Sequence, residues 1–115
     1  MSELKIQTSD LSGGVVLVDV AGYLDAHTFE EFDECIGGLF DKGSVKLVVD
    51  LAKVDYISSA GAGVFIGNIG KAQDQGGNII LLQPSPNVTE VFELLGLTQI
   101  FTLVDDQATA VAQFN

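Results

Sequence analysis

Two adjacent serines, Ser58 and Ser59, stand between a predicted loop and a predicted helix, where a hydroxyl can serve in two ways. At the start of a helix, a serine oxygen accepts a hydrogen bond from a backbone N–H of the first turn. A phosphate on that oxygen would meet the exposed N–H groups and the positive end of the helix dipole. Capping alone accounts for one serine but not for two. The pair therefore indicates either a simple helix cap or a site that can accept a phosphate.

Glycines follow the two serines at spacings that suggest contact with another molecule. Gly61 and Gly63 lack a side chain, which would leave the backbone open to close approach. Gly63, Gly67 and Gly70 fall on one stripe of the predicted helix, and each costs that helix about 1 kcal/mol relative to alanine. Close packing inside the domain and close approach by a partner both explain the stripe. The same stripe leaves a weak homodimer as an alternative to a monomer.

Other side chains that could support catalysis or bind a metal are few. His27 is the only histidine, and it stands before the first predicted helix, where a solvated turn residue is expected. Cys35 is the only cysteine, which excludes a disulfide within the chain and a cysteine-based metal site, and its apolar helical neighbours predict a buried thiol. Asp25 and Asp55 could pair near Ser59, but capping and solubility explain them as well. We therefore predict no enzyme activity, no metal and no cofactor.

The charge of the chain restricts its partners. Sixteen acidic residues against five lysines and no arginine give a net charge of −11. Nucleic acid and anionic membranes need clustered basic residues, so neither is an expected partner. A basic protein partner fits, although acidity that only maintains solubility would look the same. Because there is no signal-like N-terminus and no apolar run near the roughly 18 residues of a membrane span, we expect a cytoplasmic protein.

The elements that must position these residues follow from the apolar pattern. Hydrophobic residues make up 47% of the chain, as expected for a packed core, and 115 residues predict one domain, 1–115. A hairpin followed by alternating helices and strands predicts an α/β fold whose mixed sheet has about five strands, with about four helices. Thr28 and Glu31 would form a capping box. The predicted strands are 4–8, 15–20, 45–51, 78–83 and 99–104, and the helices are 28–41, 60–75, one between Pro86 and Gly96, and 105–114.

Two segments after predicted strands stand out as candidate binding loops. Gly22-Tyr23-Leu24-Asp25 follows the second strand, and Asp55-Tyr56-Ile57-Ser58-Ser59-Ala60-Gly61 follows the third. Partners of α/β folds tend to bind at the carboxyl ends of the strands. We therefore expect a partner-binding site that includes Asp25, Ser58, Ser59, Gly61 and Gly63.

These motifs resemble a known family over essentially the whole chain. Gly22-Tyr-Leu-Asp25, Val48-Val-Asp-Leu51 and Tyr56-Ile-Ser-Ser-Ala-Gly-Ala-Gly-Val64 occur in the order seen in the STAS domain of bacterial anti-sigma factor antagonists. The segment from Asn87 to Gly96, continuing to Leu97, resembles the third helix of that family. No single string is specific, but their order and spacing together identify the family.

The resemblance implies a phosphorylation switch that regulates transcription. A serine kinase, itself the anti-sigma factor, would phosphorylate Ser59, and a PP2C-type phosphatase would restore the free serine. The unphosphorylated protein would bind the kinase and free a sigma factor or another target. The acidic residue of the family's first loop matches Asp25, which would lie near the serine and help to engage the kinase.

The chain departs from the commonest family pattern beside the acceptor serine. An aspartate usually precedes that serine and a serine or threonine follows it, whereas this chain has Ser58 and Ala60. Ser58 is therefore a second candidate acceptor. A scaffold module that is never phosphorylated remains an alternative. A phospho-aspartate receiver domain is less consistent, because no acidic pair follows the first strand and no lysine follows Lys71.

Overall fold

The computed structural model describes residues 4–114 as an α/β fold around a five-stranded sheet with the strand order β1-β2-β3-β4-β5. This confirms the predicted fold class. Short 3-10 helices occupy Ser12–Gly14 and Leu97–Gln99. The strands are β1 (Leu4–Asp10), β2 (Val15–Leu24), β3 (Lys46–Ile57), β4 (Asn78–Leu82) and β5 (Thr102–Val104), and the helices are α1 (Phe29–Asp41), α2 (Ser59–Asp74), α3 (Pro86–Leu94) and α4 (Gln107–Ala112).

The sheet is mixed, as the sequence predicts. β1 and β2 form an antiparallel hairpin, whereas β2 to β5 are parallel to their neighbours. Parallel strands need long crossovers, and here helices α1, α2 and α3 supply them between successive strands. The central strands are covered on both faces, so adjacent residues such as Val48 and Val49 are both buried.

The main core lies between the sheet and helices α1, α2 and α3. Phe65 of α2 is at its centre, with ring centroids 5.2 Å from Phe32, 5.5 Å from Phe92 and 6.0 Å from Phe101. A smaller cluster on the opposite face includes Ala110 of α4. Helix α2 thus presents its apolar face to the centre of the fold, and the start of α2 is held firmly against β2 and β3.

Three strand predictions need correction. β2 continues to Leu24 instead of ending near Val20. β3 continues to Ile57 instead of ending near Leu51, because two bulges keep its buried residues in phase with β2. β5 is shorter than predicted, because residues 97–99 form a 3-10 helix. Leu97 and Phe101 are both buried and are joined by a 2.9 Å N–H···O bond between their backbones, which is helical and not strand spacing. The apolar pattern alone did not distinguish these cases.

Three details at the helices also differ from prediction. The prediction of a capping box at the start of α1 is wrong, because the hydroxyl of Thr28 makes no hydrogen bond to the first turn of that helix. Helix α4 begins only after Asp106, whose carboxylate accepts from Thr109 N at 2.8 Å; this bond lowers the pKa of Asp106. Cys35 is half-buried instead of buried, and burial raises the pKa of its thiol. Within residues 4–114, no helix has the length and apolar character needed to cross a membrane.

Candidate functional site

The two adjacent serines are used differently by the fold. Ser58 is the N-cap of α2, with extended backbone angles, and its Oγ accepts from Gly61 N at 3.3 Å. Ser59 is the first residue of the helix and is exposed. Among residues 4–114, its hydroxyl has no hydrogen bond partner. The cap therefore occupies the Ser58 oxygen and leaves the Ser59 oxygen accessible at the positive end of α2.

Asp25 lies in a tight turn at the end of β2. Its carboxylate accepts from His27 N at 2.9 Å, and its backbone N–H donates to Thr28 Oγ1 at 3.0 Å. Thr28 Oγ1 in turn donates to Tyr23 O at 2.8 Å, which explains why this buried hydroxyl does not cap α1. His27 is an exposed turn residue. The turn fixes the half-buried Asp25 at the carboxyl end of β2.

The structure brings the Asp25 turn and the start of α2 together. The backbone N–H of Ser58 donates to the carbonyl oxygen of Leu24 at 2.9 Å, and Leu24 directly precedes Asp25 in the chain. Both predicted binding loops are largely strand, because Tyr23 pairs with Tyr56 and Leu24 pairs with Ile57. The expectation of loops over residues 22–24 and 55–57 was therefore wrong. Paired strand ends carry Asp25 and Ser58 side by side, which is a more rigid support than a loop.

The glycines after the serines have two distinct roles. Gly61 is buried, and a Cβ added there would lie 2.9 Å from Leu24 Cγ. The interpretation that Gly61 leaves the backbone open to a partner was therefore wrong, because its space is taken by the chain's own β2. Gly63, Gly67 and Gly70 have no atom within 4 Å of such a Cβ. Their stripe is exposed, so internal packing does not account for it.

A groove that the sequence did not reveal lies beside the stripe. Five residues of α1 and α2 surround a cavity of about 280 Å³: Phe29, Asp33, Ala60, Gly63 and Val64. Asn68 fixes one wall, because its side-chain amide donates to Asp33 at 2.9 Å and to Val64 O at 2.7 Å. Asn68 is a buried polar residue within the apolar pattern of α2. A polar residue at that position was the one sign of the groove that the sequence offered.

The Thr28 hydroxyl provides a test of how the Asp25 turn is held. Thr28→Val keeps the shape of the side chain but removes a donor to Tyr23 O and an acceptor for Asp25 N. We expect a loss of about 1–3 kcal/mol in unfolding free energy, measured by urea denaturation. Thr8→Val, at an exposed position of β1, is the control and should stay within about 0.5 kcal/mol. Equal effects of the two substitutions would contradict this role for Thr28.

Comparison with known proteins identifies the family. The model of the STAS domain family matches residues 8–110, so the chain belongs to that family. In residues 4–114, no group of three or more histidine, cysteine, aspartate or glutamate residues could hold a metal ion.

The relatives are named for a regulatory function. BtrV of Bordetella bronchiseptica, which carries the name of an anti-sigma factor antagonist, is 31% identical over 107 residues, covering 93% of this chain and 92% of BtrV. The anti-sigma-B factor antagonist of Staphylococcus epidermidis is 30% identical over 83 residues, covering 72% of this chain and 77% of that protein.

Solved structures of the Bacillus anti-sigma factor antagonist SpoIIAA have the same fold. The unphosphorylated form has a TM-score of 0.80 at 24% identity and covers 94% of this chain and 93% of SpoIIAA. The phosphorylated form has a TM-score of 0.75 at 23% identity and covers 96% of this chain and all of the other (100%).

Proposed function

We propose that this protein is an anti-sigma factor antagonist controlled by phosphorylation of Ser59. In its unphosphorylated form it binds a serine-kinase anti-sigma factor and so frees a sigma factor or another target. Phosphorylation by the bound kinase ends that binding, and a PP2C-type phosphatase restores it. The observation that carries this proposal is the accessible Ser59 hydroxyl at the start of α2, beside a second serine that already makes the cap.

The geometry favours Ser59 over Ser58 as the acceptor. A kinase needs the serine oxygen as an exposed nucleophile, and Ser59 is exposed without a hydrogen bond partner among the described residues. Ser58 is half-buried, and its oxygen is engaged with Gly61 N. Phosphorylating Ser58 would place a larger group where the cap bond now lies. Ser58 takes the position of the family's usual aspartate, and either side chain can accept the cap bond there.

The charges around Ser59 explain how a phosphate would act. Asp25 follows Leu24, whose carbonyl oxygen accepts the hydrogen bond from Ser58 N. Asp33 lines the groove between α1 and α2, and Asp55 is exposed in β3. A phosphate would add about −1.5 to −2 charges to this acidic surface. A kinase surface that fits the neutral serine would lose contacts with it, and burying the added charge in the interface would cost desolvation free energy. The helix start tolerates the anion, so binding changes while the fold persists.

The partner surface of the proposal extends from Asp25 across Ser58 and Ser59 to Gly63. The groove between α1 and α2 continues it, because Ala60 and Gly63 are among its lining residues. An exposed glycine stripe lets a partner approach the helix backbone closely. Gly61 contributes indirectly, because its contact with Leu24 sets the position of the helix start.

The relatives support the regulatory part of this proposal. Two curated relatives are named anti-sigma factor antagonists, and SpoIIAA has been solved in both phosphorylated and unphosphorylated forms. We further propose, from the sequence, that the chain acts as a single cytoplasmic domain, as a monomer or weak homodimer, without a cofactor or a catalytic activity of its own.

Labelling by a kinase tests the acceptor directly. The protein is incubated with ATP and with candidate serine kinases from its own genome, and the modified residue is mapped by mass spectrometry. We expect one phosphate on Ser59 in the unchanged chain, none in Ser59→Ala and full labelling in Ser58→Ala. Full labelling of Ser59→Ala would contradict the assignment. A kinase that binds the protein but never labels it would favour the scaffold alternative.

A further inference from the structure

A second polar cavity lies on the face of the sheet opposite helices α1, α2 and α3. It has a volume of about 140 Å³, and its lining residues come from three adjacent strands: Lys5 and Gln7 of β1, Asp19 and Ala21 of β2, and Lys53 of β3. Ala21 pairs with Lys5 on one side and with Lys53 on the other. The short alanine therefore forms a floor between two lysines.

A β-bulge places Lys53 in this cavity. Between the Asp19–Asp50 and Ala21–Lys53 pairs, β3 contains one residue more than β2. The extra residue turns Lys53 to the same face as Asp19, so that Nζ of Lys53 lies 3.6 Å from Oδ2 of Asp19. Bulges commonly re-aim a side chain next to a functional site.

Asp19 has one oxygen that lacks a partner. Its Oδ2 pairs with Lys53, but its buried Oδ1 accepts no hydrogen bond from any described residue. A buried carboxylate oxygen without a donor is unfavourable, so it is a natural acceptor for a ligand N–H or O–H. The cavity thus offers two cationic groups and one unused anionic oxygen.

Charge and size define the ligand. Two of the five lysines of a chain with net charge −11 line this one cavity, which gives its lining residues a local charge of +1 (two lysines against Asp19). The cavity is partly open to solvent, and its volume equals that of about four or five water molecules, which suits a small polar molecule.

We propose that this cavity binds a small α-hydroxy or α-amino carboxylate. Its carboxylate would lie over Ala21 between Lys5 and Lys53, and its hydroxyl or amino group would donate to Asp19 Oδ1. The site lies on the sheet face away from α2, so it does not depend on the proposed role of Ser59. A carboxylate that lacks the α-hydroxyl or α-amino group would still pair with Lys5 and Lys53 but would donate no hydrogen bond to Asp19 Oδ1.

Titrations of the ¹⁵N-labelled protein with L-lactate and with propionate test the site by NMR. The two probes have the same number of carbon atoms, but only lactate has the hydroxyl. We expect lactate to shift the amide signals of Lys5, Ala21 and Lys53 saturably. Propionate should bind about tenfold or more weakly. The absence of saturable shifts at these amides, or equal binding of the two probes, would overturn the proposal.

Matched variants separate the site from general electrostatics. Lys53→Gln should weaken lactate binding about tenfold or more, whereas Lys71→Gln on α2 removes the same charge and should leave binding unchanged. Ala21→Leu should abolish binding by filling the floor, with the remaining spectrum showing that the fold persists. Equal losses from Lys53→Gln and Lys71→Gln would show that lactate responds only to net charge, which would refute the site.

Discussion

Ser59→Asp is expected to weaken binding to the kinase partner about ten- to a hundredfold, whereas Ser59→Ala should bind as tightly as the unchanged chain. The aspartate adds a charge at the first residue of α2, on a surface that already carries Asp25 and Asp33. Losing one or two interface contacts of about 1.4 kcal/mol each gives this range. Alanine removes only a hydroxyl that has no partner among the described residues, so neither the fold nor the neutral surface changes.

Isothermal titration calorimetry with the purified kinase would measure these affinities. Ser9→Asp is the matched control, because it adds the same charge at an exposed position of β1 and should leave the affinity within about twofold. Equal affinities of Ser59→Asp and Ser59→Ala would mean that charge at this position does not regulate binding. The protein would then be a constitutive scaffold.

Gly61→Ala and Gly67→Ala are expected to change stability in opposite directions, although both replace a glycine in α2. At Gly61 the new methyl group would meet the backbone carbonyl and side chain of Leu24, and a carbonyl that also accepts from Ser58 N cannot move cheaply. We expect a loss of about 1–3 kcal/mol in unfolding free energy. At Gly67 the methyl group enters open space, so better helix propensity should add about 0.5–1 kcal/mol.

Urea denaturation followed by circular dichroism would determine both values on the same scale. Binding to the kinase gives a second readout, because Gly61→Ala should also displace Ser58 and Ser59 from the Asp25 turn. If Gly61→Ala stabilised the protein as much as Gly67→Ala, the contact between α2 and Leu24 would not fix the start of the helix.

The fold could be predicted largely because its elements have distinct periods. Spacings of three and four placed Ala62 and Phe65 on the buried face of α2, and continuous apolar runs marked the covered strands. The errors arose where a local pattern depends on distant partners. β3 extends to Ile57 because two bulges keep it paired with β2. The hydroxyl of Thr28 does not cap α1, because it donates to Tyr23 O instead.

The site was predictable in its position and less so in its details. The helix start at Ser58 and Ser59 follows from capping preferences, but the sequence did not show that Ser58 makes the cap while Ser59 is left exposed. Sequence could not show that Gly61 packs on Leu24 while Gly63 faces open space, because both are glycines of the same helix. The groove near Asp33 was missed for a similar reason, since its walls belong to separate helices.

The most direct test compares one protein sample in two states. The chain is phosphorylated by its kinase, half of it is treated with a PP2C-type phosphatase, and the affinity of each half for the anti-sigma factor is measured by calorimetry. Mass spectrometry confirms the modification at Ser59. We predict that the phosphorylated form binds at least about tenfold more weakly and that phosphatase treatment fully restores the affinity. Equal affinities of the two forms would contradict the proposal that phosphorylation of Ser59 controls this protein.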